Sequence, residues 1–283
     1  MEKRVADLWV TEYQTKNMRL GLRIKEVLCN KDTPYQHLLV VDTLEYGKVM
    51  LLDGAIQITE KDEFTYHEMM AHILMCSHPN PRRVLVVGGG DGGTVREVVK
   101  HPSLEKVYLV DIDEEVINAS RRYFPSVSCE LDNEKVEIKP MDAIQFIKER
   151  KDFFDIVIVD STDPVDFAEG LFKRDFYSDV FHALRQDGMM IAQTESPFAE
   201  ADIVKDAYNE MSKVFPIVKM CWGAMPTYPT GMWTYTIGSK GPDPAKPLRD
   251  VPAKTKYYSR SLHEASFVLP GFVVQLLKGE EGK

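Results

Sequence analysis

The sequence predicts an α/β protein, with a doubly wound, mostly parallel sheet preceded by a small antiparallel β-domain. Three observations carry that prediction. Up to about residue 60, short runs of β-branched and apolar residues are divided by turn-forming residues, the pattern of successive hairpins. Beyond Val84, strand-like and helix-like stretches alternate. At the first strand-to-helix junction stands Gly88-Gly89-Gly90-Asp91-Gly92-Gly93, where the missing side chains suit a tight turn beneath a ligand.

The hairpin runs cover residues 22–28, 37–42, 48–52 and 55–59, with Lys31-Asp32-Thr33-Pro34, Glu45-Tyr46-Gly47 and Asp53-Gly54 as turns. Residues 62–77 then space Phe64, Ala71, Leu74 and Met75 as a helix does, until Pro79 and Pro81 end the run. Strands follow at 84–87, 107–110, 136–139, 156–159, 189–192 and 217–221, with helices around 94–100, 114–123, 143–150, 172–185 and 198–214. Residues 232–237 add a strand, and it is expected to be antiparallel because 223–231 is too short for a crossover helix. A proline-rich excursion at 242–252 precedes a C-terminal helix. These boundaries divide the 283 residues into a hairpin domain over 1–60 and a larger domain over 61–283.

Composition excludes several classes. The longest apolar stretch, 267–274, is broken by Pro270 and Gly271 and falls short of the ~18 residues a membrane span needs. The first residues carry charges with no apolar segment behind them, so no secretory leader is expected and the cytoplasm is the default. Four scattered cysteines contain no CxxC pair, so neither a disulfide framework nor a thiolate zinc site is suggested. With 35 Lys and Arg against 44 Asp and Glu, the net charge of −9 and the absence of a basic tract exclude a nucleic-acid footprint. Such a field favours a small cationic ligand.

Gly88, Gly90 and Gly93 satisfy GxGxxG, and Asp111 ends the next strand 23 residues after Gly88, where a carboxylate can accept both ribose hydroxyls of an adenosine. Asp91 is unusual in such a turn. It would repel a phosphate or carboxylate and hold a cationic tail, which disfavours NAD and FAD. Asp142 follows the strand at 136–139 and suits either the adenine amino group or a helix cap. Asp160 and Asp163 end a buried strand in a polar burst, Asp160-Ser161-Thr162-Asp163-Pro164, and can hold an amine and take its proton, although Asp163-Pro164 is also a common turn pair. Tyr66 and His67 lie on the helix that leads into the glycine turn, where packing and functional roles are both open. His67 and His72 are five apart and fall on different faces, which fails the zincin pattern, so no metal site is read.

Taken together, these residues resemble the polyamine aminopropyltransferase family, and within it the bacterial spermidine synthases. The resemblance runs through Asp7-Leu8-Trp9-Val10-Thr11-Glu12, Tyr35-Gln36-His37, Asp62-Glu63-Phe64-Thr65-Tyr66-His67-Glu68-Met69 and the glycine turn. It continues through Asp160 to Pro164, Glu169-Gly170-Leu171-Phe172, Pro226-Thr227-Tyr228-Pro229-Thr230-Gly231 and Lys256-Tyr257-Tyr258. It implies a Rossmann-like, methyltransferase-type catalytic domain, a homodimer or homotetramer, and transfer of an aminopropyl group from decarboxylated S-adenosylmethionine to putrescine. The products would be spermidine and 5′-methylthioadenosine, and the donor would be a co-substrate rather than a cofactor.

The resemblance further implies that Asp111 holds the ribose, Asp142 with Ala143 the adenine, Gln36 the nucleoside or sulfonium part, and His67 with Asp91 the donor amine. Tyr66, Asp163 and Tyr228 would line the acceptor channel, and Asp160 would be the base. Two positions depart from the family pattern: Asp166-Phe167 replaces Gly-Pro, and Ala143 replaces glycine. Acceptor choice stays open among putrescine, cadaverine, agmatine and spermidine, since one methylene changes discrimination by only ~1–3 kcal/mol. An amine N-methyltransferase using intact S-adenosylmethionine and a non-catalytic polyamine- or nucleoside-binding protein are the rival readings.

Overall fold

The computed structural model describes residues 7–162, 170–251 and 253–279. Five strands, β1 (Trp9–Thr15), β2 (Met18–Asp32), β3 (His37–Thr43), β4 (Lys48–Leu52) and β5 (Ala55–Thr59), form an antiparallel sheet in sequential order. Side-chain alternation gives this sheet two buried faces. Leu38, Val40, Met50, Leu52 and Ile58 pack on one side, and Leu22, Val41, Val49, Leu51 and Ile56 on the other. The first of these faces also receives Val116 and Ala119 from α3 (Glu114–Tyr123) of the larger domain.

A seven-stranded sheet follows, in the order β11-β12-β10-β9-β6-β7-β8. Its strands are β6 (Arg83–Gly88), β7 (Lys106–Asp111), β8 (Val136–Pro140), β9 (Phe154–Asp160), β10 (Leu184–Gln193), β11 (Ile217–Ala224) and β12 (Met232–Ser239). The core strands are parallel, and β12 runs antiparallel to both β10 and β11, as the short connection before it requires. One face is covered by α1 (Glu63–Ser77) and α2 (Gly93–Val99), the other by α4 (Ala143–Lys148), α5 (Arg174–Ala183) and part of α6 (Ala201–Ser212). This is the doubly wound, Rossmann-like arrangement expected, with its antiparallel N-terminal domain. Among the described residues no helix is long and apolar enough to cross a membrane.

Three local expectations need correction. β1 and the first third of β2 are strands although no strand was expected before residue 22; their side chains are mostly exposed or half-exposed and mix polar with apolar types, so they show little hydrophobic alternation. The C-terminal segment is two short helices, α7 (Arg260–Ser266) and α8 (Gly271–Lys278), because Pro270 starts the second one. The helix expected at 198–214 begins only at Ala201.

α1 is buried nearly all round, and only Phe64 among its residues is not buried. Its Glu68 explains how a carboxylate is tolerated there. Both oxygens are occupied, by backbone N–H groups of Lys256 (2.8 Å), Tyr257 (2.8 Å) and Tyr258 (2.7 Å). The C-terminal segment is therefore clamped onto the helix that carries Tyr66 and His67. Glu68→Gln turns an amide N–H₂ toward N–H donors and should cost ~1.5–3 kcal/mol. Urea unfolding checks this, with a lower midpoint and an unchanged slope expected.

Candidate active site

The C-terminal ends of β6, β7, β8 and β9 open into a cleft of about 1210 Å³, mouth included, roofed by residues of the small sheet. Parallel register sets Gly88 beside Asp160, so the glycine turn and the end of β9 share one edge. The glycines are needed there. Gly88 has φ 73°, and a Cβ on it would fall 2.3 Å from the Asp160 carbonyl oxygen. A Cβ on Gly90 would fall 2.7 Å from Asp111 Oδ2.

At one end of the cleft, Asp111 accepts from the backbone N–H of Gly90 (Oδ2, 2.9 Å) and of Asp113 (Oδ1, 2.9 Å). Burial, with the neighbouring carboxylates, lifts its pKa to about 6 against those hydrogen bonds. Gln36 Nε2 donates to Asp113 Oδ2 at 2.9 Å, and Thr33 Oγ1 donates to the same oxygen at 2.7 Å. These contacts fasten the small sheet over the strand ends. Asp142 caps α4 by accepting from Ile144 N at 2.8 Å, as one of its two readings expected, and with Ala143 it also lines the cleft.

At the other end, Asp160 accepts from the Tyr66 hydroxyl (2.7 Å) and from Thr94 Oγ1 (2.6 Å). Burial raises its pKa, and Asp91 raises it further. Burial likewise holds the Tyr66 phenol well above its ordinary range, so Tyr66 stays a donor. Tyr228 donates to the Gln57 carbonyl at 2.6 Å, and its ring lies 5.6 Å from that of Tyr66 and 4.7 Å from that of Trp233. The walls here are aromatic, suited to an aliphatic chain between charged ends. Glu12 of β1 lines the same cleft and accepts from Ile56 N at 2.8 Å.

Between these ends lies a compact charged cluster. The nearest ligand atoms of His67, Asp91 and Asp160 all fall within 4.8 Å of one another. His67 Nδ1 is 2.6 Å from Glu63 Oε2, and its Nε2 is 3.1 Å from Asp91 Oδ1. Burial opposes a charge on His67, yet Asp91 and Glu63 lift its pKa to about 10. Burial also pushes Asp91 upward, but the His67 charge and the Gly93 N–H (2.6 Å) hold it below the usual carboxylate range.

Nine of the ten residues predicted for the site, namely Gln36, Tyr66, His67, Asp91, Asp111, Asp142, Ala143, Asp160 and Tyr228, line this one cleft. Asp163 lies outside the described residues, as do Asp166 and Phe167. Thr94 and Glu63 were not foreseen. Thr94 carries only the weak signal of a hydroxyl in the first turn after a glycine loop, and Glu63 that of a residue one helical turn before His67. A cleft with buried carboxylates at its strand ends, a charged His67–Asp91–Asp160 cluster and aromatic walls has the chemistry to bind a cationic ligand and to accept a proton from it.

Known proteins resemble this chain along almost its whole length. Residues 63–246 match the family model described as the spermine/spermidine synthase domain, and residues 8–60 that of the spermidine synthase tetramerisation domain. The polyamine aminopropyltransferase of Thermoanaerobacter sp. strain X514 is 49% identical over 269 residues, 94% of this chain and 97% of that protein. The one from Caldicellulosiruptor bescii is 46% identical over 274 residues, 96% and 99% of the two chains. A crystal structure of spermidine synthase in complex with the transition state analogue AdoDATO superposes with a TM-score of 0.94 at 42% identity, covering 98% of each chain. With such identity along almost its whole length, the chain belongs to the spermine/spermidine synthase family and is an aminopropyltransferase.

Proposed function

We propose that the enzyme is a spermidine synthase, moving the aminopropyl group of decarboxylated S-adenosylmethionine to putrescine and releasing spermidine and 5′-methylthioadenosine. The observation that carries this reading is the placement of Asp91 in the glycine turn within 4.8 Å of Asp160. A donor that has lost its carboxylate presents only positive charge to that turn, whereas intact S-adenosylmethionine presents a carboxylate to it. Asp111 receives the ribose, Asp142 and Ala143 the adenine, and Gln36 borders the nucleoside. Asp91 takes the aminopropyl ammonium with His67 beside it.

Putrescine enters as a dication, since an alkyl ammonium titrates near the ~10.4 of lysine, and a protonated nitrogen has no lone pair to attack with. Asp160 accepts one proton. The freed nitrogen then forms a bond to the methylene carbon on sulfur, the carbon–sulfur bond breaks, and its electron pair neutralises the sulfonium. The new secondary amine keeps its remaining protons and its charge. Tyr66 and Thr94 hold Asp160 in place, and Tyr66, Tyr228 and Asp163 line the acceptor path. Holding nitrogen and carbon in line supplies much of the acceleration.

Assembly into a homodimer or homotetramer through residues 8–60 is part of the same reading. Its support is the tetramerisation model matched there and the exposed Leu8, Trp9, Tyr13 and Val27 of that segment.

An acceptor panel with decarboxylated donor, scored by product mass, tests the assignment: spermidine from putrescine is expected to dominate. Preference for cadaverine or agmatine would move the acceptor, and methyl transfer from intact S-adenosylmethionine would sink the reading.

Asp160→Asn keeps the shape and loses the proton acceptor, so kcat should fall by ~10²-fold or more while donor affinity holds. Because burial raises the Asp160 pKa, the wild-type kcat/KM should rise with pH along an acid limb lying above the ordinary carboxylate range. A profile flat down to pH ~4 would remove Asp160 as the base.

Asp91→Asn should weaken decarboxylated donor by ~10-fold or more and 5′-methylthioadenosine hardly at all, because only the donor carries the ammonium. Calorimetric titration of both ligands decides it, and equal losses would refute the placement.

A further inference from the structure

Glu63 opens α1, and its carboxylate reaches the charged cluster through a single side chain. Its Oε2 accepts from His67 Nδ1 at 2.6 Å, one helical turn on. Arg96 of α2 grips the same carboxylate with a fork, Nη1 to Oε1 at 3.1 Å and Nη2 to Oε2 at 2.8 Å, while Arg96 Nε donates to Glu97 at 2.8 Å. The His67 ring is 1% exposed and closely boxed: a Cβ on Gly93 would fall 2.2 Å from it. Its second nitrogen, Nε2, is buried beside Asp91 at ion-pair distance but makes no linear hydrogen bond there. A ring locked on one side thus presents to the site, on the other, a nitrogen paired with Asp91 by charge but holding no hydrogen bond of good geometry.

We propose that Glu63, held by Arg96, is a positioning residue: it keeps a proton on His67 Nδ1 and so turns Nε2 toward the donor ammonium as an acceptor. In the free enzyme Nε2 also carries a proton, and the incoming ammonium takes that proton's place. One N–H bond of His67 breaks, its electron pair stays on Nε2 and accepts an N–H of the ammonium, and the proton leaves to solvent. Charge in the cluster is conserved, one cation exchanged for another. The inference rests on placing the donor ammonium at Asp91.

The groups facing His67 are Glu63 on its own helix, Asp91 in the glycine turn, Asp160 at the end of β9 and the Tyr66 ring at 5.5 Å, with Arg96 behind Glu63. Two adjoining carboxylates outweigh burial and bring the His67 pKa to about 10, so the ring is cationic at neutral pH before the donor arrives. An ammonium beside Nε2 lowers that pKa in the complex. Between the two values, donor binding is linked to proton release.

The test is calorimetric titration of the intact enzyme, without acceptor, at about pH 8 in buffers of different ionisation enthalpy. About one proton should be released per decarboxylated S-adenosylmethionine bound and close to none per 5′-methylthioadenosine. Glu63→Gln should abolish the release and weaken the donor about tenfold, leaving methylthioadenosine within about twofold. Release that persists in Glu63→Gln would assign the proton to Asp160 and overturn the proposal, as would equal weakening of both ligands. Arg96→Lys keeps a charge but loses the fork; a fall of about threefold for the donor alone is expected, and an unmoved donor affinity counts against the proposal even if Glu63→Gln fails to fold. If Asp91→Asn separates the two ligands and the Glu63 and Arg96 variants do not, only this inference fails. If Asp91→Asn does not separate them, the ammonium placement itself is wrong.

Discussion

Asp91 and Asp160 stand at the ends of a turn and a strand that the parallel register forces together, with carboxylate oxygens inside 4.8 Å in a buried setting. At an effective dielectric of about 20, two full charges that close repel by at least about 3.5 kcal/mol, enough to lift the pKa of one of them well above its ordinary value. Much of the local structure answers that repulsion. Asp91 is held ionised by the His67 cation and the Gly93 N–H, and the cost is passed to Asp160, whose pKa rises. Hydroxyl donors from Tyr66 and Thr94 keep Asp160 oriented without neutralising it. The outcome is a buried carboxylate whose pKa stands above its ordinary range and whose orientation two hydroxyls fix.

The glycine turn has a double duty in this setting. A Cβ on Gly89 would fall 2.7 Å from Asp160 Oδ2, and one on Gly93 2.2 Å from the His67 ring, so the turn makes room for the protein's own charged groups as well as for a ligand. Reading GxGxxG as a nucleoside signal alone misses half of what the residues accommodate.

The small sheet completes the cleft through few but specific ties. Gln36 and Thr33 reach Asp113 at the start of α3, and the Tyr228 hydroxyl reaches the Gln57 carbonyl in β5. Asp62, just ahead of α1, accepts from Thr59 (2.6 Å) and from the Thr227 hydroxyl (2.8 Å) and N–H (3.1 Å), so the segment bearing Tyr228 is anchored to both domains. Burial raises the Asp62 pKa even with those donors present. The aromatic wall around Tyr228 is thereby held by the same segment that links the two sheets, while residues 163–169 lie outside the described residues.

Period and punctuation made most of the architecture legible in the sequence: short β-branched runs with turn residues, then apolar strands of four to six residues alternating with helices, and glycines at the first junction. Because the chemistry-bearing residues sit at strand ends in such a fold, Asp111, Asp142 and Asp160 could be placed at one sheet edge from spacing alone. The polar strand β1 could not be read, since a strand paired on one side and half-exposed buries too little to show a period. Tyr66 and His67 were open between packing and function because a helix face has no address until it docks. Glu63 already stood one turn away on the same helix, but only the tertiary structure brought Arg96, Thr94 and Asp91 to that face and set the charge state of His67. Those facts depend on distances of three ångströms between segments tens of residues apart, and electrostatic coupling of buried groups follows distance and burial rather than order along the chain.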